Sequence, residues 1–527
     1  MTANSSAQSR TAVPKGAAST DPATRRRWTL PVLCAAVFLN ALDSSIVAVA
    51  LPTIQREVDL PTTTLQWVVS GFALGYGGLL LLGGRIADAA GRRRVLLASV
   101  AAFALAASAA GLAGSGSALV AARIAAGTSL AFVVPAALAI IASAYPEGAA
   151  RSHALGVYSA VGGGGWTAGL LLGGLATAAS WRLVFLLQVP VAVAILVATP
   201  RAVPPDGRCA GRSGRPDVAG AALGTAALLT LVYVLTTVAA RSLSSVGTLV
   251  WGASAALLAA AFVVVERRAA EPLLPFELFR SRNLSCANLV AFAYFGSYSG
   301  YLFIGTLYLQ RVLGWSPLRT ALAFLPAAVL AAAVSGFAGT LIQRRGLPTI
   351  LLAGMLTMLT AYALLLRIGA SSSYLAVVLP TVVLVGLGAA ITFPSITDAG
   401  LAGVASDRQG LVGGLVNTSM QAGAGIVLAV ISAAIAIRTG ATPANQSEAG
   451  ALLAGYRLGL GVTTAVAALG VLAVLLGLYR TPARTTPRPA GQPAPITPEP
   501  GPDPARRGRR RLRAARTTRR RSPASGR

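Results

Sequence analysis

Apolar residues run through the chain in blocks of about 20, separated by short connectors that carry Arg or Gly. About 20 helical residues at a 1.5 Å rise cross a hydrocarbon core about 30 Å thick, so each block predicts one membrane-spanning helix. The pattern predicts an all-α polytopic membrane protein with about fourteen transmembrane helices. The predicted spans are residues 29–51, 64–83, 95–113, 118–141, 153–175, 183–199, 217–239, 247–265, 284–309, 318–341, 348–366, 374–397, 410–437 and 453–478.

Composition excludes several functional classes. Hydrophobic residues make up 55% of the chain and charged residues 11%, where ordinary globular proteins have about 25% charged residues, so a soluble enzyme is excluded. Lys15 is the one lysine, so no GxxxxGK(S/T) phosphate-binding loop exists and an ATP-driven pump on this chain is excluded. The three cysteines share no metal-ligand spacing, and there is one histidine. We expect no catalytic residue, no metal and no cofactor.

Arginines on the connectors predict the orientation, because short cytoplasmic loops retain Lys and Arg. With the N-terminus inside, the inner connectors carry 16 Arg and the outer connectors carry 8. An even number of spans puts both termini on one side. We therefore expect a protein of the cytoplasmic membrane with both termini in the cytoplasm. No small-residue cleavage site follows the first apolar block, which favours a retained helix over a signal peptide.

The spans divide the chain into five predicted segments. They are a disordered N-terminal tail (1–28), a six-helix bundle (29–199), a linker with two inserted helices (200–283), a second six-helix bundle (284–479) and an Arg- and Pro-rich disordered tail (480–527). The last tail holds 14 Arg against two acidic residues and supplies much of the net charge of +28. Such a tail is typical of a solvated or headgroup-contacting segment. Nucleic-acid binding is the alternative, and we expect no nucleic-acid partner.

One loop sequence occurs twice. GRIADAAGRRR begins at Gly84 after the second span, and GTLIQRRG begins at Gly339 after the tenth. Each copy has Gly first, a branched residue two positions on, a polar residue fifth, Gly eighth, and arginines nearby. Two copied halves are typical of transporters whose substrate site lies between the halves.

These motifs resemble a known family. The first loop copy resembles the GxLaDrxGrr signature of the major facilitator superfamily, and LDSSIVAVALP from Leu42 to Pro52 resembles LDxTIVNVALP of its fourteen-helix drug:proton antiporter branch. The resemblance covers about residues 29–478 and implies a 6+2+6 helix arrangement. It also implies a multidrug or antibiotic exporter driven by the proton gradient. Further matches are Gln66–Val69, Arg123–Gly127, Trp181–Phe185 and Asn417–Gln421.

Three positions depart from the family pattern. Leu170 stands where the fifth-span exporter signature GxxxGPxxGG has Pro. Ala89 stands where the loop signature commonly has Arg, and Gln343 replaces Asp in the second loop copy. Leu170 leaves open a proton symporter or a uniporter for an endogenous solute. A non-transporting membrane sensor or scaffold is the alternative from another class.

Asp43 is the one carboxylate well inside a predicted span. A charged Asp at mid-bilayer costs roughly 2.5–3.5 kcal/mol, which favours a wet cavity over lipid. Helix rise puts Asp43 about 12 Å and Arg123 about 8 Å below the outer membrane edge, so the two can pair directly or through water. The resemblance implicates the equivalent Arg in proton coupling, so we expect this pair to couple proton movement. The alternatives are a structural Asp43 satisfied by Asn40, Ser44 or backbone, and an Arg123 that snorkels outward.

Two further sets follow from the motifs. The resemblance implies that Gly84, Asp88, Gly91 and Arg92 form an interdomain latch of the outward-facing state, whereas topology alone would explain the arginine but not Asp88. Small residues about every fourth position on the fifth span predict close helix packing or a hinge. A nucleotide-binding glycine loop would need a strand–turn–helix context. The packing set is Gly165, Gly169, Gly173 and Gly174.

Four tyrosines at spacings of 4, 3 and 7 form a stripe on the ninth span: Tyr294, Tyr298, Tyr301 and Tyr308. Aromatic faces stack on flat drugs and attract organic cations by about 0.5–2 kcal/mol each, so the stripe either lines a cavity or packs helices. An Asn and a Gln at i and i+4 on the thirteenth span leave the same two alternatives open. We expect an amphipathic or aromatic small-molecule substrate and a monomer in the bilayer. The candidate substrate cavity comprises Asn40, Gln66, Tyr294, Tyr298, Tyr301, Asn417 and Gln421.

Overall fold

The computed structural model describes residues 22–146, 148–205, 217–241, 245–269, 272–274, 276–402, 404, 409–440 and 448–478. The tail predicted at 480–527 lies outside these residues, as does the first part of the tail predicted at 1–28. The described residues form helices and connecting turns with no strand, which confirms the all-α fold class.

Fourteen long helices run through the described residues, one for each predicted span. They are α1 (Pro22–Glu57), α2 (Trp67–Ala90), α3 (Arg92–Gly111), α4 (Gly116–Ala144), α5 (Ala149–Ala179), α6 (Gln188–Ala202), α7 (Val218–Arg241), α8 (Val246–Arg268), α9 (Arg282–Leu307), α10 (Pro317–Arg345), α11 (Leu347–Leu365), α12 (Leu379–Leu401), α13 (Gln409–Gly440) and α14 (Glu448–Gly477). Short helical turns at Thr62–Leu65 and Leu183–Leu186 precede α2 and α6.

Hydropathy explains most of these helices. In a bilayer every backbone N–H and C=O must bond internally, so an apolar segment of this length becomes a helix. Twelve segments in the described part of the chain are long and apolar enough to cross a membrane. The other two helices, α5 and α9, lie where the fifth and ninth spans are predicted. They are less apolar because α5 contains four consecutive glycines and α9 contains Asn and Ser.

The two halves of the chain pair their helices in the same way. In the first half α1 packs on α5 and α6, α2 on α4, and α3 on α4 and α6. In the second half α9 packs on α13 and α14, α10 on α12, and α11 on α12 and α14. This correspondence agrees with the repeat predicted from the loop sequences.

The two halves meet mainly along two seams, and the inserted pair sits beside one of them. The bundles meet through α2 against α13 and through α5 against α10. Helix α7 packs against both α2 and α13, while α8 packs chiefly on α7. The inserted helices therefore cover one of the two seams between the bundles.

Turns define the two ends of the bundle. We call the end with the α1–α2 turn, where Asp59 has φ of 51°, the Asp59 end. The opposite end, with the α2–α3 turn, is the Gly91 end. Gly91 has φ of 102° and Gly346, the eighth residue of the second loop copy, has φ of 82°. Both loop copies therefore need glycine at this place, because a side chain is strained at such φ values.

The α5–α10 seam is closed towards the Asp59 end. A Cβ on Gly174 would lie 2.6 Å from that of Ala321, and Gln310 Nε2 donates to the carbonyl of Val49 at 2.8 Å. Towards the Gly91 end, added Cβ atoms on Gly163 of α5 and Gly336 of α10 would meet nothing within 4 Å. This pattern indicates that the bundles diverge along this seam towards the Gly91 end.

Candidate functional site

A buried ion pair joins α1 to α4. Nη1 of Arg123 donates to both carboxylate oxygens of Asp43, at 2.8 and 2.9 Å. The side chains are 3% and 1% exposed, respectively. The contact anticipated from their similar depths is therefore direct, and Arg123 does not reach outward. Ser44 does not satisfy Asp43, because its hydroxyl donates to the carbonyl of Asn40 at 2.8 Å.

Helix α2 holds the guanidinium from the other side. Nε of Arg123 donates to the carbonyl of Val68 at 3.0 Å, and Cζ lies 4.5 Å from the centroid of the Phe72 ring. The close approach of α2 and α4 depends on Gly127, where a Cβ would lie 2.1 Å from the Phe72 carbonyl. Arg123 is thus held by a carboxylate, a carbonyl and an aromatic face together, which desolvates the charge while satisfying it.

The ion pair borders a small cavity between the bundles. The cavity has a volume of about 50 Å³, which is room for water molecules but far below the ~300 Å³ of an ordinary ligand pocket. A drug-sized ligand would therefore need a wider cavity than this conformation offers. Residues from both bundles line it, among them Phe72, Arg123, Trp166, Phe295, Tyr298 and Gln421.

The tyrosine stripe of α9 divides between two environments. Tyr298 lines the cavity, and its ring centroid lies 6.0 Å from that of Trp166 across the bundle interface. Tyr294 stacks on Tyr298 at 6.4 Å and is 5% exposed. Tyr301 is 2% exposed, and its ring lies 5.7 Å from that of Tyr362 inside the second bundle. In this conformation Tyr301 packs helices, while Tyr298 faces the cavity.

The four amide candidates are spread along the molecule. Gln421 lines the cavity and packs against Gly77 of α2. A Cβ added to Gly77 would lie 2.6 Å from the Cβ of Gln421. Asn417, one turn along α13, is half-buried. Gln66 is fully buried, and its Oε1 accepts a hydrogen bond from Ser70. Asn40 lies against Tyr76, and its Oδ1 has no partner among the described residues.

The glycines of α5 serve two different contacts. Gly165, Gly169 and Gly173 lie against α1: a Cβ on Gly169 would lie 2.0 Å from Ser45 Oγ, and one on Gly173 would lie 2.4 Å from the Ile46 carbonyl. Gly174 instead faces α10 of the other bundle. The set predicted as one packing motif thus lets α5 approach α1 closely and also closes the Asp59 end.

Comparison with known proteins identifies the family. The Major Facilitator Superfamily family model matches residues 33–429. The chain belongs to the major facilitator superfamily. Membership of this superfamily, together with the twelve segments of the described residues that are able to span a membrane, makes the chain a multi-pass membrane transporter of small molecules.

Several relatives are antibiotic resistance or export proteins. The puromycin resistance protein pur8 of Streptomyces alboniger is 37% identical over 476 residues, covering 88% of this chain and 92% of that protein. The tetracenomycin C resistance and export protein of Streptomyces glaucescens is 34% identical, covering 79% and 77% of the two chains. The cephamycin export protein CmcT of Amycolatopsis lactamdurans is 33% identical, covering 83% and 91%.

Solved structures share the superfamily fold. A bacterial homologue of the human lysosomal transporter Spinster, in an inward-facing and occupied conformation, matches with a TM-score of 0.62 at 18% identity. The match covers 87% of this chain and 97% of that chain. The nucleoside transporter NupG matches with a TM-score of 0.63 at 9% identity, covering 86% and 100%. At these identities the likeness shows the shared fold.

The superfamily loop signature lies on the surface at the Gly91 end. Asp88, in the last turn of α2, pairs with Arg92 in the first turn of α3 at 3.0 Å, and the side chains are 57% and 38% exposed. Arg92 also donates to the carbonyl of Ala139 in α4 at 2.9 Å. Gly84 has only Pro135 near its Cβ position, at 3.8 Å. In this conformation these described contacts all lie within the first bundle.

The structure adds residues that the sequence did not single out. Phe72, Trp166 and Phe295 line the cavity, although nothing in an apolar span marks which aromatic side chains face inward. A second carboxylate, Glu266 in the last turn of α8, is also buried, with 2% exposure. The predicted eighth span ended at residue 265, one position short of it.

Proposed function

We propose that the chain is a proton-coupled antiporter that exports amphipathic or aromatic antibiotics across the cytoplasmic membrane. The observation that carries this proposal is the buried Asp43–Arg123 pair at the wall of an aromatic cavity between the bundles. The 37% identity to a puromycin resistance protein supports export as its direction and antibiotics as its substrate class.

The geometry supports coupling through competition for one arginine. When Asp43 is ionised, both its oxygens hold Arg123 Nη1. A proton on Asp43 removes the negative charge and releases the guanidinium, which also lines the cavity. The charge facing a substrate therefore depends on whether Asp43 carries a proton. Proton and substrate then act on the same group, which is the requirement for exchange.

Alternating access completes the cycle. The α5–α10 seam is closed by Gly174 and Ala321 at the Asp59 end and diverges towards the Gly91 end. We assign the Gly91 end to the cytoplasm because Arg85 and the adjacent run Arg92–Arg94 lie there. Substrate would enter from that side, and rocking of the bundles would expose the cavity at the Asp59 end.

Aromatic side chains favour flat or cationic substrates. Phe72, Trp166, Phe295 and Tyr298 surround the cavity, so a planar ring or an organic cation would meet aromatic faces from both bundles. Each such contact is worth about 0.5–1.5 kcal/mol beyond the area that it buries. Gln421 supplies a hydrogen-bonding group on the same wall.

The decisive experiment compares two Asp→Asn variants in everted membrane vesicles. Flux of a dye or antibiotic is measured with and without an imposed proton gradient, at matched protein levels. Asp43→Asn removes the titratable group without changing its size, so we expect gradient-driven flux to fall by about tenfold or more, equivalent to ~1.4 kcal/mol or more. Asp59→Asn is the matched control, because Asp59 is exposed and Asn tolerates its positive φ.

Each other outcome points to a named alternative. Equal, gradient-independent flux in both variants would contradict proton coupling and leave a uniporter. Gradient-driven accumulation of solute in right-side-out vesicles would indicate a symporter. No flux of any compound in a broad panel, from purified protein in liposomes, would favour a sensor or scaffold.

A further inference from the structure

A second group of buried and half-buried charges lies away from the Asp43 site. It sits at the Gly91 end of the inserted helices, where α7 begins and α8 ends. Asp217 precedes α7 and caps it, since its Oδ1 accepts the backbone N–H of Gly220 at 2.7 Å. Glu266, in the last turn of α8, has its Oε2 bonded by the backbone N–H of Leu274 at 3.1 Å. The contacts of Asp43 and Arg123 described above involve none of these residues.

One oxygen of each carboxyl group is left without a donor. Asp217 Oδ2 and Glu266 Oε1 are buried and have no hydrogen-bond partner among the described residues. They converge on one point: a Cβ on Gly220 would lie 2.5 Å from Asp217 Oδ2 and 2.8 Å from Glu266 Oε1. The two oxygens are thus separated by no more than these two distances together.

Two ionised carboxylates would repel strongly at this separation. Glu266 is 2% exposed, so water screens the repulsion poorly. Charges near Glu266 come from Asp217 at the start of α7 and Arg85 on α2, while Arg267 and Arg268 follow it on α8 itself. Arg85 also donates to the carbonyl of Pro272 at 2.5 Å. A hydrogen between the two oxygens would give both of them the partner that they lack.

We propose that Asp217 and Glu266 bind one shared proton, held between Asp217 Oδ2 and Glu266 Oε1. The proton comes from the solution at the Gly91 end and adds to one carboxylate oxygen, and the other carboxylate oxygen accepts its hydrogen bond. The pair then carries one negative charge instead of two. No other bond forms or breaks.

This site would act where the inserted helices connect the first bundle to the second. Through Leu274 and Pro272 the carboxyl pair and Arg85 hold the segment that leads from α8 towards the second bundle, while Arg85 belongs to the first. Loss of the proton would drive Asp217 and Glu266 apart and so loosen the start of α7 from the end of α8. Helix α7 packs on the α2–α13 seam, so this proton would control how firmly the inserted helices cover that seam.

The test uses the full-length protein carrying Asp43→Asn, so that Asp43, the other buried carboxylate among the described residues, cannot contribute. Infrared difference spectra recorded across a pH titration report protonated carboxyl groups directly. We expect one protonated carboxyl per chain to disappear on adding either Glu266→Gln or Asp217→Asn, and to persist with Glu277→Gln. Glu277 is the matched control because it is an exposed glutamate near the same end.

Thermal unfolding provides an independent readout. The folded protein holds the shared proton and the unfolded chain does not, so stability should fall as pH rises through the titration of the pair. Glu266→Gln should remove that dependence. Gly220→Ala, which puts a methyl group between the two oxygens, should weaken it, whereas Gly252→Ala on α8, with nothing within 4 Å, should not.

Specific results would overturn the proposal. One is a carboxyl band and a pH profile that are the same in Glu266→Gln, Asp217→Asn and Glu277→Gln. Another is a dependence on sodium with no dependence on pH, which would mean a metal cation between the oxygens. Because the measurements are made without Asp43 and without transport, neither result bears on the function proposed above.

Discussion

In the first bundle α1 and α4 are joined by the Asp43–Arg123 ion pair, whereas their counterparts α9 and α12 bury only uncharged groups. In α9 Asn288 accepts a hydrogen bond from Ser419 at 2.7 Å, and Tyr301 packs on Tyr362. Among the described residues no charged side chain of the second bundle is buried. The two bundles nevertheless pair their helices in the same order.

This difference separates what the fold needs from what the site needs. Desolvating two charges costs about as much as their attraction returns, and apolar replacements for a buried ion pair are often neutral or stabilising. The second bundle pairs its helices in the same order without a buried ion pair. We infer that the Asp43–Arg123 pair is kept for proton coupling, while the aromatic side chains contributed by the second bundle serve substrate recognition.

The largest effect is expected from Arg123→Gln, which gives the first bundle the uncharged chemistry of the second. It leaves Asp43 buried without its counterion, at a cost of about 3–5 kcal/mol in stability, and should abolish gradient-driven flux. Thermal unfolding and vesicle flux measure the two effects. The double variant Asp43→Asn/Arg123→Gln should recover stability without recovering gradient dependence.

Asn288→Ala is the control in the second bundle. It removes two neutral hydrogen bonds, one accepted from Ser419 and one donated to the carbonyl of Leu284, so we expect a loss of about 1–3 kcal/mol with gradient-driven flux retained. If Asn288→Ala removes gradient dependence as completely as Arg123→Gln does, the division of labour between the bundles is wrong.

A smaller effect is expected from replacing Tyr298 and Tyr301 of α9, which lie in different environments of the second bundle. Tyr298→Ala removes an aromatic wall of the cavity and should raise the KM for an aromatic substrate by about 2- to 10-fold, from 0.5–1.5 kcal/mol per contact, with modest loss of stability. Tyr301→Ala leaves a void beside Tyr362 and should cost about 3–5 kcal/mol of stability. Concentration-dependent flux and thermal unfolding separate these effects. A larger loss of stability in Tyr298→Ala than in Tyr301→Ala would contradict the assignment of Tyr298 to the cavity.

Depth along the membrane was readable from the sequence, and orientation about each helix axis was not. Counting residues from the span edges placed Asp43 and Arg123 at similar depths, and they are in contact. The faces of α9 were not readable, because a helix with apolar residues on every side has no polar stripe to mark its inner face. The sequence therefore does not distinguish Tyr298 from Tyr301, whereas their ring contacts in the structure do.

The ends of the spans were also difficult to predict from the sequence. The predicted eighth span stopped at residue 265 because Glu266 and two arginines follow, yet helix α8 continues to Arg268 and buries Glu266. A carboxylate at the last turn reads as part of a connector, since hydropathy averages over the whole block and does not register tertiary burial. The partnership of Asp217 with Glu266 depends on α7 and α8 packing together, which no local pattern encodes.

The smallest effect is expected from Asp88→Gln, which makes the first loop copy resemble the second, where Gln343 occupies the same place. The Asp88–Arg92 pair is exposed, so it contributes at most about 0.2–1 kcal/mol, and Arg92 keeps its bond to the Ala139 carbonyl. Unfolding temperature should therefore hardly change.

If Asp88 is part of the latch, transport rate should fall while substrate binding stays constant, because the variant would destabilise only the conformation closed at the Gly91 end. The reciprocal Gln343→Asp is the control and should leave the rate unchanged. Equal rates in wild type and Asp88→Gln would mean that the two loop copies differ in sequence without differing in role.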